Sequence, residues 1–189
     1  INDYQELEVV GTGSIINQPN KTYYGDSGAD NNKVYYNLYK TISVQNHNEF
    51  KKAILRPNTI VNLETDIILT ESIETTAKRV KINGRDFTVD GNNKFKITVK
   101  AEEFGISEVV FANYTAGALS LYNAKNAEVY KVKFIGNETS KPKDERSTYG
   151  LDIYNSTVSQ EGIKAYKHLY RGIQVRNGSI VEIKSQSIH

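Results

Sequence analysis

The sequence predicts an all-β fold, a parallel β-solenoid with a short N-terminal capping α-helix, and three observations lead there. Beyond Thr59 the apolar residues come in runs of three to five separated by turn residues, without helical periodicity. One pattern, apolar-x-apolar-x-Asn, recurs four times, at 109–113, 119–123, 151–155 and 173–177, closing on Asn113, Asn123, Asn155 and Asn177. Ahead of these runs stands a single amphipathic helix, placed where an open solenoid end, with its unpaired strand edges, needs a cover.

In chain order, residues 1–40 are expected to form a loop-and-strand flank packed on the solenoid, and residues 41–189 the solenoid domain. The flank is rich in Asn, Gly, Asp and Tyr, with turn-prone stretches such as Gly11-Thr12-Gly13-Ser14. Its Tyr-rich run Val34-Tyr35-Tyr36-Asn37-Leu38-Tyr39 has strand propensity, and Ile42-Ser43-Val44 alternates apolar with polar on the way into the body. The helix spans about 46–56. Asn46 caps it, Glu49 reaches back to complete a capping box, and Phe50, Ala53 and Ile54 fall on one face. Arg56-Pro57 ends it, because the residue before proline is pushed out of helical geometry.

The strand runs follow: Ile60-Val61-Asn62-Leu63, Ile67-Ile68-Leu69, Val80-Lys81-Ile82, Phe87-Thr88-Val89, Phe95 through Val99, and Val109-Val110-Phe111. Leu119-Ser120-Leu121, Val129 through Phe134, Leu151-Asp152-Ile153, Ile173-Gln174-Val175 and Ile180-Val181-Glu182-Ile183 continue in the same style. An Asn after an inward-facing pair tolerates the left-handed backbone of a tight corner, and its amide can bond the same group one turn away. Asn155 and Asn177 are 22 residues apart, whereas Asn123 and Asn155 are 32 apart. The excess of 10 matches the charged stretch from Glu138 to Ser147, read as a loop inserted into one turn. Asn113 and Asn123, only 10 apart, must lie on different sheets.

The segment Val44-Gln45-Asn46-His47-Asn48-Glu49-Phe50-Lys51-Lys52-Ala53-Ile54, then Ile60 through Ile67, then Val80 through Gly91 with its Asp90-Gly91 end, resembles the start of the pectate-lyase-like adhesive domains of Gram-positive surface proteins. The resemblance implies a right-handed parallel β-helix whose first rung is capped by the helix, with Phe50 and Ile54 as its plug. It makes 22 residues about one turn. It implies a cell-surface adhesin that recognises a glycan or a host or bacterial surface protein, extracellular and attached to the cell wall through another part of the protein. True pectate lyases and related polysaccharide enzymes share the helix. A lyase or hydrolase acting on acidic polysaccharide, and a structural stalk segment, therefore stay open as alternatives.

Composition narrows the classes. The 24 Lys and Arg against 22 Asp and Glu leave a formal charge of +2, far from a nucleic-acid binder. Cysteine is absent, so disulfides, thiolate metal sites and a Cys nucleophile are excluded. No run approaches the roughly 20 apolar residues of a membrane span, and no export signal opens the chain; with no Met even at position 1, the expectation is a monomeric piece of a longer protein. The mean hydropathy of −0.53 suits much surface for little core.

Chemistry is sparse. Asp86, Asp90, Asp152 and the Asp26/Asp30 pair are the candidate metal ligands, but they make no calcium-loop pattern and read as solvated turn acids. His47, His168 and His189 share no ligand spacing. A lyase needs a basic residue beside a carboxylate-binding cation, and Arg146, Arg171, Arg176 and Lys164 have no such partner in the pattern. No catalytic residue, metal or cofactor is assigned. Tyrosine is the informative type, with 13 Tyr and no Trp. Tyr122 and Tyr154 hold equivalent outward positions in the repeat, Arg176 takes that place in the next turn, and Tyr149, Tyr170 and Arg171 extend the surface. These six are the candidate ligand contacts, although stacking that merely stabilises the sheet explains the column equally.

Overall fold

The structure, a computed structural model, describes residues 39–137 and 147–184 together with the backbone of three strands nearer the N-terminus. Two compact units divide the chain, residues 1–40 and 41–189. In the first, β1 (Tyr4–Glu8), β2 (Tyr23–Gly25) and β3 (Lys33–Asn37) form an antiparallel sheet in the order β1-β3-β2.

The second unit is an all-β parallel solenoid of about six turns carrying one short helix. It opens with β4 (Lys40–Val44) and α1 (His47–Ile54). The first turn is β5 (Thr59–Leu63), β6 (Ile67–Ile68) and β7 (Ile73–Thr75), and the second β8 (Val80–Asn83), β9 (Thr88–Asp90) and β10 (Ile97–Val99). Then come β11 (Gly105–Ser107), β12 (Val110–Ala112) and β13 (Leu119–Tyr122), followed by β14 (Ala127–Tyr130), β15 (Lys133–Ile135) and β16 (Leu151–Tyr154). The fifth turn is β17 (Thr157–Glu161), β18 (Lys164–Tyr166) and β19 (Ile173–Arg176), and β20 (Ile180–Ile183) begins the sixth. Each turn lays one strand on each of three sheets. Sheet I runs β20-β17-β14-β11-β8-β5-β4, sheet II β18-β15-β12-β9-β6 and sheet III β19-β16-β13-β10-β7.

Register partners measure the turn directly. Val61 pairs Ile82, 21 residues on, and Ile73 pairs Ile97, 24 residues on. Leu119 to Leu151 is 32 and Phe134 to Ala165 is 31, so the extra length falls between β15 and β16. The loop expected there lies outside the described residues except for Ser147, which is fully buried rather than part of an exposed excursion. The Ser147 hydroxyl donates to the Tyr114 carbonyl and accepts from the Asn137 N–H at 3.1 Å, while the Ser147 N–H donates to Asn137 Oδ1 at 2.7 Å. The two ends of the insertion are thus tied to each other and to the turn below.

The corners explain how so short a repeat closes. Asn113, Asn123, Asn155 and Asn177 all sit in the left-handed region, with φ of 51°, 54°, 46° and 59°. Asn155 Nδ2 donates to Asn123 Oδ1 at 2.7 Å. Asn113 instead donates to Asp90 Oδ2 at 2.7 Å, because its corner follows sheet II and has Asp90 one turn below. Asn177 keeps the backbone conformation without an amide bond of this kind among the described residues. The run from Val129 to Phe134 is two strands on different sheets, bent at Lys131 with φ 50°.

At the opening end Asn46 Oδ1 accepts from Glu49 N–H at 3.0 Å. Glu49 Oε2 reaches past the cap to the Gln45 N–H at 2.9 Å, one residue earlier than a capping box has it. The helix stops at Ile54, two residues short of Arg56, where Arg56 N–H closes a tighter turn on the Ala53 carbonyl at 3.1 Å. Phe50 and Ile54 are completely buried. The hydroxyl of inward-facing Thr75 satisfies the Ile54 carbonyl at 2.7 Å, which joins the helix end to the first turn of the stack.

Candidate binding face on the third sheet

Strand alternation on sheet III sends Leu119, Leu121, Leu151 and Ile153 into the core, each 0% exposed, and turns the residues between and after them outwards. Parallel pairing in register then stacks like position on like, so Tyr122 meets Tyr154 and Tyr154 meets Arg176. The two rings lie 4.4 Å apart at 2°. Arg176 Cζ sits 5.1 Å from the Tyr154 ring centre. Lys100, next after β10 and so one turn below Tyr122, holds its Nζ 5.9 Å from the Tyr122 ring. The result is an aromatic pair between two cations. Ring faces are covered by neighbours, and what meets solvent is ring edges and hydroxyls. The Tyr154 hydroxyl, by hydrogen bonding first and charge second, holds the Tyr122 phenol above its ordinary range.

A second column runs beside the first, where Ser120, Asp152 and Gln174 share a register. Asp152 points outwards yet is only 4% exposed. Arg176 donates through Nε and Nη2 to its two oxygens at 3.0 and 2.7 Å, a fork-on-fork pair that raises the Arg176 pKa. Tyr149 lies close by. Burial first, and then the Asp152 charge, pushes its phenol up. Gly117 makes room for that ring: a Cβ there would stand 2.5 Å from Tyr149 Cε2.

Tyr149 also forms a wall of an open cleft of about 570 Å³, with Thr148, Leu169, Tyr170, Arg171 and Gln174. The opposite wall is fixed by its backbone, with Leu169 N–H bonding the Ser147 carbonyl at 2.7 Å and Arg171 N–H the Thr148 carbonyl at 3.2 Å. Tyr170 is 69% exposed. The Arg171 guanidinium is exposed and has no ion-pair partner among the described residues. Residues 147–184 carry five Lys and Arg against three Asp and Glu, so this end of the solenoid is basic.

The six candidate contacts therefore fall into two neighbouring groups. Tyr122, Tyr154 and Arg176 make the column, and Tyr149, Tyr170 and Arg171 line the cleft. Asp152 bridges them, pairing with Arg176 and facing Tyr149. Sequence reasoning weighed Asp152 only as a metal ligand, and passed over Lys100 and Gln174. A signal for Lys100 was present in Ile97-Thr98-Val99-Lys100, which has the repeat pattern with Ala101 in place of the corner Asn. Among the described residues no three or more His, Asp or Glu side chains converge as a metal site; Asp86 takes Lys133 at 3.1 Å, and Asp90 serves its corner. Arg146 lies outside the described residues.

The stack itself is testable. In a double-mutant cycle on thermal or urea unfolding, Tyr122→Ala and Tyr154→Ala should couple by about 0.5–1.5 kcal/mol. Simple additivity would mean that the rings do not support one another. Searches against protein-family models, curated proteins and solved structures found no match to this chain.

Proposed function

We propose that this chain is a non-catalytic binding domain of a bacterial cell-surface protein, an adhesin-like module whose glycan or surface-protein ligand seats in the cleft of Tyr149, Tyr170 and Arg171. The carrying observation is the pairing of a largely exposed Tyr170 ring with an Arg171 guanidinium that no acid neutralises among the described residues. Among the described residues neither side chain makes a hydrogen bond or an ion pair. Both are of the types that dominate binding energy when a partner desolvates them. The ring offers a face to a pyranose or an apolar side chain, the guanidinium pairs with a carboxylate or sulfate, and Gln174 and Thr148 supply hydrogen bonds. A volume near 570 Å³ is within the ~300–1,000 Å³ range of ligand sites.

The Tyr122, Tyr154, Arg176 and Asp152 assembly acts as the rigid backing of this surface. Display at a Gram-positive cell surface draws its support from the resemblance in the helix and the first strands.

Glycan and surface-protein arrays probed with the whole chain test the reading. Tyr170→Ala/Arg171→Ala is expected to keep the melting temperature and to weaken any binding about tenfold or more. Silence on both arrays would favour a stalk, and an unchanged double variant would move the site elsewhere. Unsaturated product absorbing in the ultraviolet, formed from polygalacturonate with calcium, would instead establish a lyase.

A further inference from the structure

His168 is the residue immediately before the cleft wall of Leu169, Tyr170 and Arg171, and its ring turns inward. Its Nε2 lies 2.6 Å from the hydroxyl of Tyr114, a side chain 1% exposed in the corner between β12 and β13. Its Nδ1 is buried and finds no hydrogen-bond partner among the described residues. We infer that the His168–Tyr114 contact is an acid-sensitive latch that holds the cleft wall in place at neutral pH and releases it on acidification.

The argument is one of satisfied and unsatisfied donors. With the imidazole neutral, its two nitrogens carry one N–H between them, and the single contact to Tyr114 is served whichever group donates. Protonation makes both nitrogens donors. Nδ1–H then points into a buried site with no acceptor, and the new charge has no counter-ion, among the described residues. Among the described residues Tyr114 is the titratable group facing the ring. The Asn137–Ser147 clamp and Gly136, packed around the same corner, bring no charge, and Lys167, adjacent in the chain, is exposed. Burial deepens the neutral state of both partners, lowering the His168 pKa and raising that of Tyr114.

The cheapest escape for a protonated ring is rotation into solvent. That motion pulls on Leu169 and Arg171, whose N–H groups bond the Ser147 and Thr148 carbonyls across the insertion. The sign follows. A histidine with a lowered folded pKa binds fewer protons folded than unfolded, so its stabilising contribution is complete above the ordinary value of about 6.5 and is lost as pH falls below it.

This inference regulates the cleft proposed above and so rests on that reading for its biological sense, but its test needs no ligand. The His168 ring protons and the Leu169, Tyr170 and Arg171 amides would be followed by NMR from pH 7.5 to 5. Expected are a His168 midpoint below that of an ordinary histidine and amide shifts that move with it. His168→Gln, which retains a hydrogen-bonding partner for Tyr114, should abolish the amide response. A midpoint at or above about 6.5, or amides that ignore the titration, would overturn the latch. The wild-type titration decides the matter even should the variant fold poorly, and absence of any array binding would sink the cleft while leaving this result standing.

Discussion

Phe134→Ala is expected to cost about 3–5 kcal/mol of folding free energy and to lower the melting temperature by about 10 °C. Phe134 is fully buried on β15 and lies parallel to Phe111 one turn below, with centroids 5.3 Å apart at 4°. Above it in register stands Ala165, and a Cβ on Gly150 would come within 2.5 Å of the Phe134 Cβ. Small residues on two sides thus define the space that one large ring fills. The neighbours cannot collapse into a vacancy, because Phe111 and Ala165 are each pinned by backbone ladders on both sides of β15. Transfer and cavity costs therefore add. Gly150→Ala should destabilise for the opposite reason, overpacking the same site by about 1–3 kcal/mol. Urea melts of the two variants check both losses, and a Phe134→Ala loss under about 1 kcal/mol would mean that the rings do not share a packed column.

That column shows why the fold was legible while its details were not. Inward positions recur as large apolar residues at every turn, so alternation and short spacing announce a solenoid. Corners are visible only where asparagine marks them. Lys131, Glu108, Arg85 and Lys167 adopt equally left-handed backbone, with φ between 50° and 62°, and nothing in their side chains advertises it. Hence Val129 through Phe134 reads as one strand although a corner divides it. Three strands, β7, β11 and β18, escaped because so short a run leaves room for only one or two inward residues, as with Ile106 in Gly105–Ser107, and the longer β17 escaped because Val158 is its one buried side chain. The ladder that holds them is made by neighbouring turns, not by local propensity. On sheet III the same logic favours like positions over unlike ones. Tyr122, Tyr154 and Arg176 could be aligned because they follow the same motif, whereas Tyr149, Tyr170 and Arg171 lie outside it, on the connections that lead into β16 and β19, and meet only when one turn stacks on the next. Asp152 was visible as an acid, but its partner was two strand positions away and one turn up, a relation that exists only once register is known.

The Asp152–Arg176 pair should respond unequally to removal of its two halves. Asp152 has a side chain 6% exposed and Arg176 one 44% exposed. Asp152→Asn frees a guanidinium that water already half surrounds and leaves a neutral amide in the buried place, a cost of about 1 kcal/mol or less. Arg176→Ala strands a buried carboxylate, and about 2–3 kcal/mol is expected at neutral pH, less than for a fully desolvated pair because the partner was half in water. Asp152→Asn/Arg176→Ala should recover most of the loss at neutral pH, since no charge is left to strand. Urea melts of the three variants at neutral pH read this out. Equal costs for the two single variants would show Asp152 to be hydrated without its partner. The wall shared by column and cleft would then be held by the stacked rings alone.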